Sequence, residues 1–396
     1  MRVLPIFVCL AALACSRPPA PVRPLTVVPM PLPVGDVALS PQLTVVADHA
    51  VVSWIENETR TSVLKFAERT AGGWTAPRTV ASGDNWFSNF ADVPSVVRLA
   101  DGTLAAEWLE ITDDTNDGYD LRLSFSKDGG TTWSPPVSPH HDGTKTQHGF
   151  ASLFQMPGAG LGVVWLDGRA VTAASDAMTL RAAIFNTAGS QQAETLLDDR
   201  VCDCCPTSVA VSSDGPVVAY RDRTGGEIRD IAVSRFVNGA WTPGRRVHDD
   251  NWHIAACPIN GPAIAASGRN IAVAWMTANG DDGHAFVAFS SDAGNTFGPP
   301  IRLDNAASTG RVGVAFVDDR TAVASWIEYA DGQSRLQLRR VDAGGERGAP
   351  VNVVGVSSER TSGYPRMVKH GNELILAWTD TRDGGSTVRT AVVPLQ

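Results

Sequence analysis

Apolar residues in this chain arrive in short runs, many of them alternating with polar positions, and nearly every run is closed by Gly, Pro, Asn or Asp. Val96-Val97-Arg98-Leu99, the turn Ala100-Asp101-Gly102 and the run 104–108 show the pattern, and residues 121–125 alternate with a period of two. Alternation of this kind, bounded by turn residues, predicts β-strands. No segment places apolar residues at helical spacing, so the expected class is all-β.

The runs recur at long range. An apolar stretch ending in an aromatic, followed one residue later by an acidic or polar group, occurs at Trp54-Ile-Glu56, Trp108-Leu-Glu110, Trp165-Leu-Asp167, Tyr220-Arg-Asp222, Trp275-Met-Thr277, Trp326-Ile-Glu328 and Trp378-Thr-Asp380. Successive aromatics are 51 to 57 residues apart. Units of four short strands repeated at such a period predict a β-propeller of seven four-stranded blades, or six if one unit is degenerate. The last unit runs out after its third strand, 388–395, while 25–30 is a spare β-rich segment ahead of the first unit. Pairing the two would close the ring and cover two strand edges.

Two turns between third and fourth strands carry a motif. Residues 126–133, Ser126-Lys-Asp128-Gly-Gly130-Thr-Thr132-Trp133, and 290–297, with Ser290, Asp292, Gly294, Thr296 and Phe297, resemble the Asp-box, S-x-D-x-G-x-T-[WF]. In such a turn Asp and Ser accept backbone N–H bonds and Gly takes the left-handed position. The chain thus resembles the sialidase-like Asp-box (BNR repeat) propellers, in which the box belongs to the scaffold.

Composition adds the setting. Hydrophobic residues make up 43 %, as in globular proteins. With 33 Lys+Arg against 42 Asp+Glu, a net charge of -9 and no basic run, nucleic acid is not an expected partner. Residues 1–14, with Met1-Arg2, an apolar run and Ala12-Leu13-Ala14 before Cys15, read as an export signal. Ala-Leu-Ala-Cys resembles the bacterial lipobox, which implies a lipoprotein acylated at Cys15. Residues 15–33 then form a Pro-rich tether and 34–396 the propeller. The expected location is the cell envelope, lipid-anchored at the outer membrane and facing the periplasm or the surface. Membrane contact would come through that lipid only, and the protein is expected to be a monomer.

In such a propeller the loop after each second strand and the connection to the next blade share one face, where ionisable groups concentrate here. His140, His141 and His148 fall in these loops and read as loop residues rather than ligands, a reading open to metal titration. Trp86, Phe87 and Trp252 are candidates for stacking on a ligand. The sialidase resemblance implies three arginines on a substrate carboxylate, a Tyr nucleophile and an Asp acid/base. Tyr364 with Arg366 could supply the nucleophile and one arginine, Arg169, Arg223, Arg360 and Arg382 the others, and Asp167 and Asp222 are acid/base candidates. The Arg-Ile-Pro signature of that family is absent. The ligand class implied is a glycan, sialic acid among them, or another small acidic molecule. The alternative is a non-catalytic propeller that binds a ligand, metal or partner at a Cys-rich mouth.

Four cysteines follow the tether: Cys202, Cys204, Cys205 and Cys257. In an exported protein they predict disulfides. Prolines 94, 206, 258 and 365 are expected to open inner strands. That would put Cys205 and Cys257 at one level of adjacent blades, suited to pair, with Cys202 and Cys204 joined locally. No cofactor is required, but the four thiols with His253 offer an alternative set of soft ligands for copper or zinc, and redox activity is a third reading.

Overall fold

The computed structural model describes residues 24–113, 118–158, 160–172, 175–381 and 384–395. The export signal, Cys15 and Arg382 lie outside the described residues. The chain is a seven-bladed β-propeller with inner strands Ala38–Val46, Ser95–Arg98, His148–Gln155, Ser208–Ser212, Ala263–Ser267, Ala307–Phe316 and Arg366–His370. Each inner strand pairs antiparallel with the strand that carries the repeat aromatic. In blade 2 the outermost strand is reduced to a short pairing in which Leu123 and Val137 exchange N–H···O bonds of 2.7 and 2.9 Å.

The ring closes as the spare segment predicts. Val28–Met30 pairs with Thr387–Pro394, placing Val28 opposite Val392 and Met30 opposite Thr390. Leu25 and Met30 are buried there, so the first strand of the chain completes the last blade.

The core lies between blades. Trp108 packs with Val51, Leu64 and Phe66 of blade 1, Trp165 with Leu121 and Leu123 of blade 2, and Trp326 with Ala274 and Val287 of blade 5. Each repeat aromatic thus fills the seam to the preceding blade, burying the large apolar area that makes aromatics dominate such interfaces.

Both motif turns fold alike. Asp128 Oδ1 accepts from Ser126 Oγ at 2.8 Å and Thr132 N at 2.9 Å, and Asp292 Oδ1 from Ser290 Oγ and Thr296 N, each at 2.8 Å. Gly130 (φ 85°) and Gly294 (φ 80°) occupy the left-handed position that the turn requires.

Candidate functional site at the mouth of the propeller

In four units the acid two residues after the aromatic serves the scaffold. Trp54, Trp108, Trp165 and Trp326 donate their indole N–H to Glu56, Glu110, Asp167 and Glu328, at 2.8, 3.0, 2.8 and 3.3 Å. An indole N–H buried in a seam needs such an acceptor. Where the blade differs, the acceptor comes from farther away: Tyr220 donates to Asp198 and Trp275 to Asp250, both at 2.7 Å.

Asp167, a sequence candidate for acid/base work, is therefore committed. It accepts from Trp165 and, through both oxygens at 2.7 Å, from Arg169, and has no exposed side-chain surface. Burial opposes its charge, yet Arg169 holds it below the usual carboxylate range. Asp222 is freer. Burial and then the neighbouring Asp198 push it up to about 6.

The arginines expected to clamp a carboxylate are mostly spent on the protein. Arg169 also reaches Glu194 at 2.9 Å, and Arg223 pairs with Asp176 at 3.0 Å and Glu227 at 2.8 Å. The candidate aromatic platforms also contact the protein. Trp86 stacks on Trp108, Phe87 on Tyr119 at 4.2 Å, and buried Trp252 lies under Arg221 at 4.7 Å. Trp252 is thus buried in the scaffold, while Trp86 and Phe87 are half-buried and each stacks on a neighbouring ring.

What the mouth does present comes from three bulges. The inner strands of blades 1, 3 and 6 slip register near their first residues, with Ser40 (φ 55°), Phe150 (φ 52°) and Arg311 (φ 53°) in the left-handed region. Bulges re-aim side chains, and non-glycine residues in this region carry strain that the surroundings must hold. Each N–H is held by a side chain of the preceding blade or its connection: Ser40 by Thr379 at 3.2 Å, Phe150 by Asp92 at 2.7 Å, Arg311 by Asn260 at 3.0 Å.

Asp92 is 3 % exposed, and burial pushes its carboxyl up to about 7 against the bonds from Phe150 N and Tyr119 Oη. Burial and then Asp92 itself drive the adjacent Glu107 well above the carboxylate range. Across the mouth Arg311 donates to Ser362 Oγ at 2.6 Å and Gly363 O at 2.9 Å, with Phe90 beneath it. Arg366 lies over the Tyr364 ring at 5.4 Å and lines the central cavity of about 820 Å³. Burial lowers both guanidiniums, Arg366 to about 10, and Arg360 adds positive charge beside Arg311. No carboxylate among the described residues pairs with either. The Tyr364 hydroxyl donates to Ile259 O, and burial pushes its pKa up, so the ring is a wall of the site and not a poised nucleophile.

Thus Arg366 lies against Tyr364 and Arg360 beside Arg311, Arg169 and Arg223 point into other networks, and Arg311, Asp92 and Glu107 went unnoticed. The repeat held a signal for two of these. The residue before the aromatic is Ser53, Val164, Ala219, Ala274, Ser325 or Ala377 in six units and Glu107 in blade 2. Fifteen residues ahead of the aromatic, Arg311 is the one charged residue among the seven units.

The cysteines pair differently from the expectation. Cys204 bonds to Cys257, not Cys205 to Cys257, and Cys202 Sγ lies 2.9 Å from Cys205 Sγ. The reason is register. The inner strand of blade 5 begins at Ala263, so Cys257 and Pro258 belong to the connection, and it is Gly261 that packs against the Pro206 backbone, where a Cβ would overlap the Pro206 carbonyl. Arg229 donates to Cys202 Sγ at 3.4 Å. Burial opposes ionisation, but the Cys205 thiol, the Cys204 backbone N–H, Arg221 and Arg229 bring Cys202 down to about 7, while burial raises Cys205. Cys202, Cys204 and Cys205 cluster closely; His253 is not in that group.

No family model and no curated protein matches the sequence. Among solved structures, polysaccharide lyase Uly1 superposes with a TM-score of 0.56 at 10 % identity, covering 92 % of this chain and 90 % of that one. The α-L-arabinanase of Penicillium chrysogenum, complexed with arabinobiose, gives 0.50 at 14 % identity over 94 % and 98 %. The Hadza microbial sialidase Hz136 superposes at 0.43, with 16 % identity over 73 % and 63 %. What this chain shares with the first two is the fold.

Proposed function

We propose that the protein cleaves glycans bearing an acidic group, bound at the propeller mouth. The observation that carries this reading is the pair of guanidiniums of Arg311 and Arg366, both beside Tyr364, with Arg360 near Arg311, and lacking a carboxylate of their own among the described residues. Partly desolvated arginines without a counter-ion favour a carboxylate or sulfate ligand, which they can grip through paired N–H donors. Asp92, which burial raises to about 7 so that it is about half protonated at neutral pH, has the acidity suited to delivering a proton to a glycosidic oxygen. The fold is one that a polysaccharide lyase and an arabinanase also use. Sialic acid, uronic acids and sulfated sugars all satisfy the charge requirement.

The test is turnover of a fluorogenic sialoside beside a panel of uronic-acid, sulfated and neutral glycosides. Anionic members should be cleaved, with activity lowered at least tenfold in Arg366→Ala and largely retained in Tyr364→Phe. Equal handling of neutral and anionic substrates, or turnover of none, would remove the reading.

We also propose that the mature chain is held at the cell envelope by a lipid on Cys15. Labelled palmitate should mark the wild type and spare Cys15→Ser.

A further inference from the structure

Outside the arginine cluster, the connection from blade 2 to blade 3 builds a second polar centre. The rings of His140 and His148 stack face to face with centroids 3.7 Å apart and planes 4° from parallel. His148 has no exposed surface and His140 is 6 % exposed. At one edge of the stack, Asp120 Oδ1 lies 3.8 Å from His140 Nε2 and 3.7 Å from His148 Nδ1. At the other edge, Asp142 Oδ2 lies 3.6 Å from His140 Nδ1 and 3.3 Å from His148 Nε2.

None of these contacts is a hydrogen bond. His140 Nε2, both nitrogens of His148 and Asp142 Oδ2 are buried without a partner. A buried polar atom left so costs about 1–3 kcal/mol, and native interiors rarely tolerate several together. The unpaired atoms therefore point to a missing participant. With the ring protons on the nitrogens that face Asp142, the three atoms at the Asp120 edge are all acceptors, and a water has only two protons to offer them. A cation accepts all three at once.

We propose that Asp120, His140 and His148 bind a divalent transition-metal ion, for which Zn²⁺ is the fitting occupant. Three donors drawn from imidazole and carboxylate, with one position open, is the arrangement of a zinc site that also takes water or substrate. Donors around a four-coordinate ion with ~2.0–2.1 Å bonds lie roughly 3.3 Å apart. The 3.7 and 3.8 Å separations of Asp120 Oδ1 from the two ring nitrogens close to that value with shifts of a few tenths of an ångström. Because an imidazole lone pair lies in its ring plane, binding also requires the two rings to splay from their parallel stack until both lone pairs converge on the ion.

The choice of edge follows from charge. At the Asp142 edge a cation is already present, because Arg169 Nη2 lies 3.5 Å from Asp142 Oδ2 and 2.7 Å from Asp167 Oδ2. At the other edge Arg122 approaches the far oxygen, Asp120 Oδ2, at 3.3 Å, and leaves Oδ1 facing the rings. Asp142 then acts as the outer partner. Its Oδ1 is anchored by Thr144 N at 2.9 Å, and its Oδ2 faces the ring nitrogens that would carry the protons. A carboxylate behind a ligating imidazole fixes the tautomer and aims the lone pair at the metal.

The ion would sit near the mouth. His148 opens the inner strand of blade 3, two residues before Phe150, whose N–H is held by Asp92, and Tyr119, next to Asp120, also reaches Asp92. The site does not depend on the glycan reading, since it rests on atoms that no arginine of the cluster touches.

The experiment is a metal titration of the full mature protein after chelator treatment and dialysis. Calorimetry with Zn²⁺ should show one ion per chain, and Co²⁺ should give the visible absorption of a low-coordinate nitrogen/oxygen site without the intense sulfur-to-metal band of thiolate ligation. Zn²⁺ should raise the melting temperature of the wild type. Asp120→Asn and His140→Gln should weaken binding at least a hundredfold and lose the melting shift, whereas His141→Ala and Cys202→Ser/Cys205→Ser should keep both. Circular dichroism of the variants separates lost binding from lost folding; His140→Ala serves if the glutamine variant does not fold. Absence of binding in the wild type, undiminished binding in Asp120→Asn and His140→Gln, or loss in the cysteine variant would overturn the proposal.

Discussion

The backbone N–H of Phe150 donates to Asp92 Oδ1 at 2.7 Å, tying the bulge that opens blade 3 to the connection ahead of blade 2. The bond explains how a phenylalanine is kept in the left-handed region, and why a carboxyl is buried at the mouth at all. An amide-bearing side chain does the same for Arg311, and a hydroxyl for Ser40. Only at Phe150 is the holder titratable.

Stability should accordingly depend on Asp92. Its folded pKa is raised from the ordinary 3.8 to about 7, so the folded state binds this proton more tightly than the unfolded chain. The favourable contribution is complete below about pH 4 and is lost as pH rises through about 7. A shift of about three units corresponds to at most roughly 4 kcal/mol. Asp92→Asn keeps the acceptor for Phe150 and removes the titration. Thermal melts from pH 5 to 8 should therefore fall less steeply in the variant, and parallel slopes would contradict the assignment.

The acceptor of Trp275 offers a cleaner energetic test. Asp250→Ala should strand the indole N–H and cost about 1–3 kcal/mol in urea unfolding. Adding Thr277→Glu places an acid where blades 1, 2, 3 and 6 have theirs and should recover part of the loss. A double variant no more stable than Asp250→Ala would show that the two positions are not equivalent.

Ring closure by the first strand predicts that Leu25→Ala costs about 2–5 kcal/mol, as for other buried leucines. Deletion of 25–30 should cost more, since it also exposes the edge of Thr387–Pro394. Melting curves by circular dichroism read both; an unchanged transition would mean that the last blade stands alone.

For the cysteines, peptide mapping without reductant should recover Cys204 joined to Cys257. Alkylation of Cys202 should follow a midpoint near pH 7, moving upward in Arg229→Ala as the guanidinium that favours the thiolate is removed. A midpoint unchanged by that substitution would exclude Arg229 as a cause.

Blade number, the aromatic seams, the two motif turns and the closing strand were all legible along the chain, because each is written in local alternation or in a repeat that returns every 51 to 57 residues. Glu107 and Arg311 were legible too, as charged residues in slots where other units are neutral, though only once the units are aligned on the blade geometry. The partners of the polar groups were not. Whether Arg169 clamps a ligand or Asp167, whether Asp250 or residue 277 receives an indole proton, and which thiol meets Cys257 depend on how far each connection carries its residues before the next strand begins. Strand pairing is periodic and tolerates no slip that would turn an apolar face to water, so alternation reveals it. A hydrogen bond or disulfide between connections is set by distances of a few ångströms across separate blades, and only the packed ring brings those atoms together.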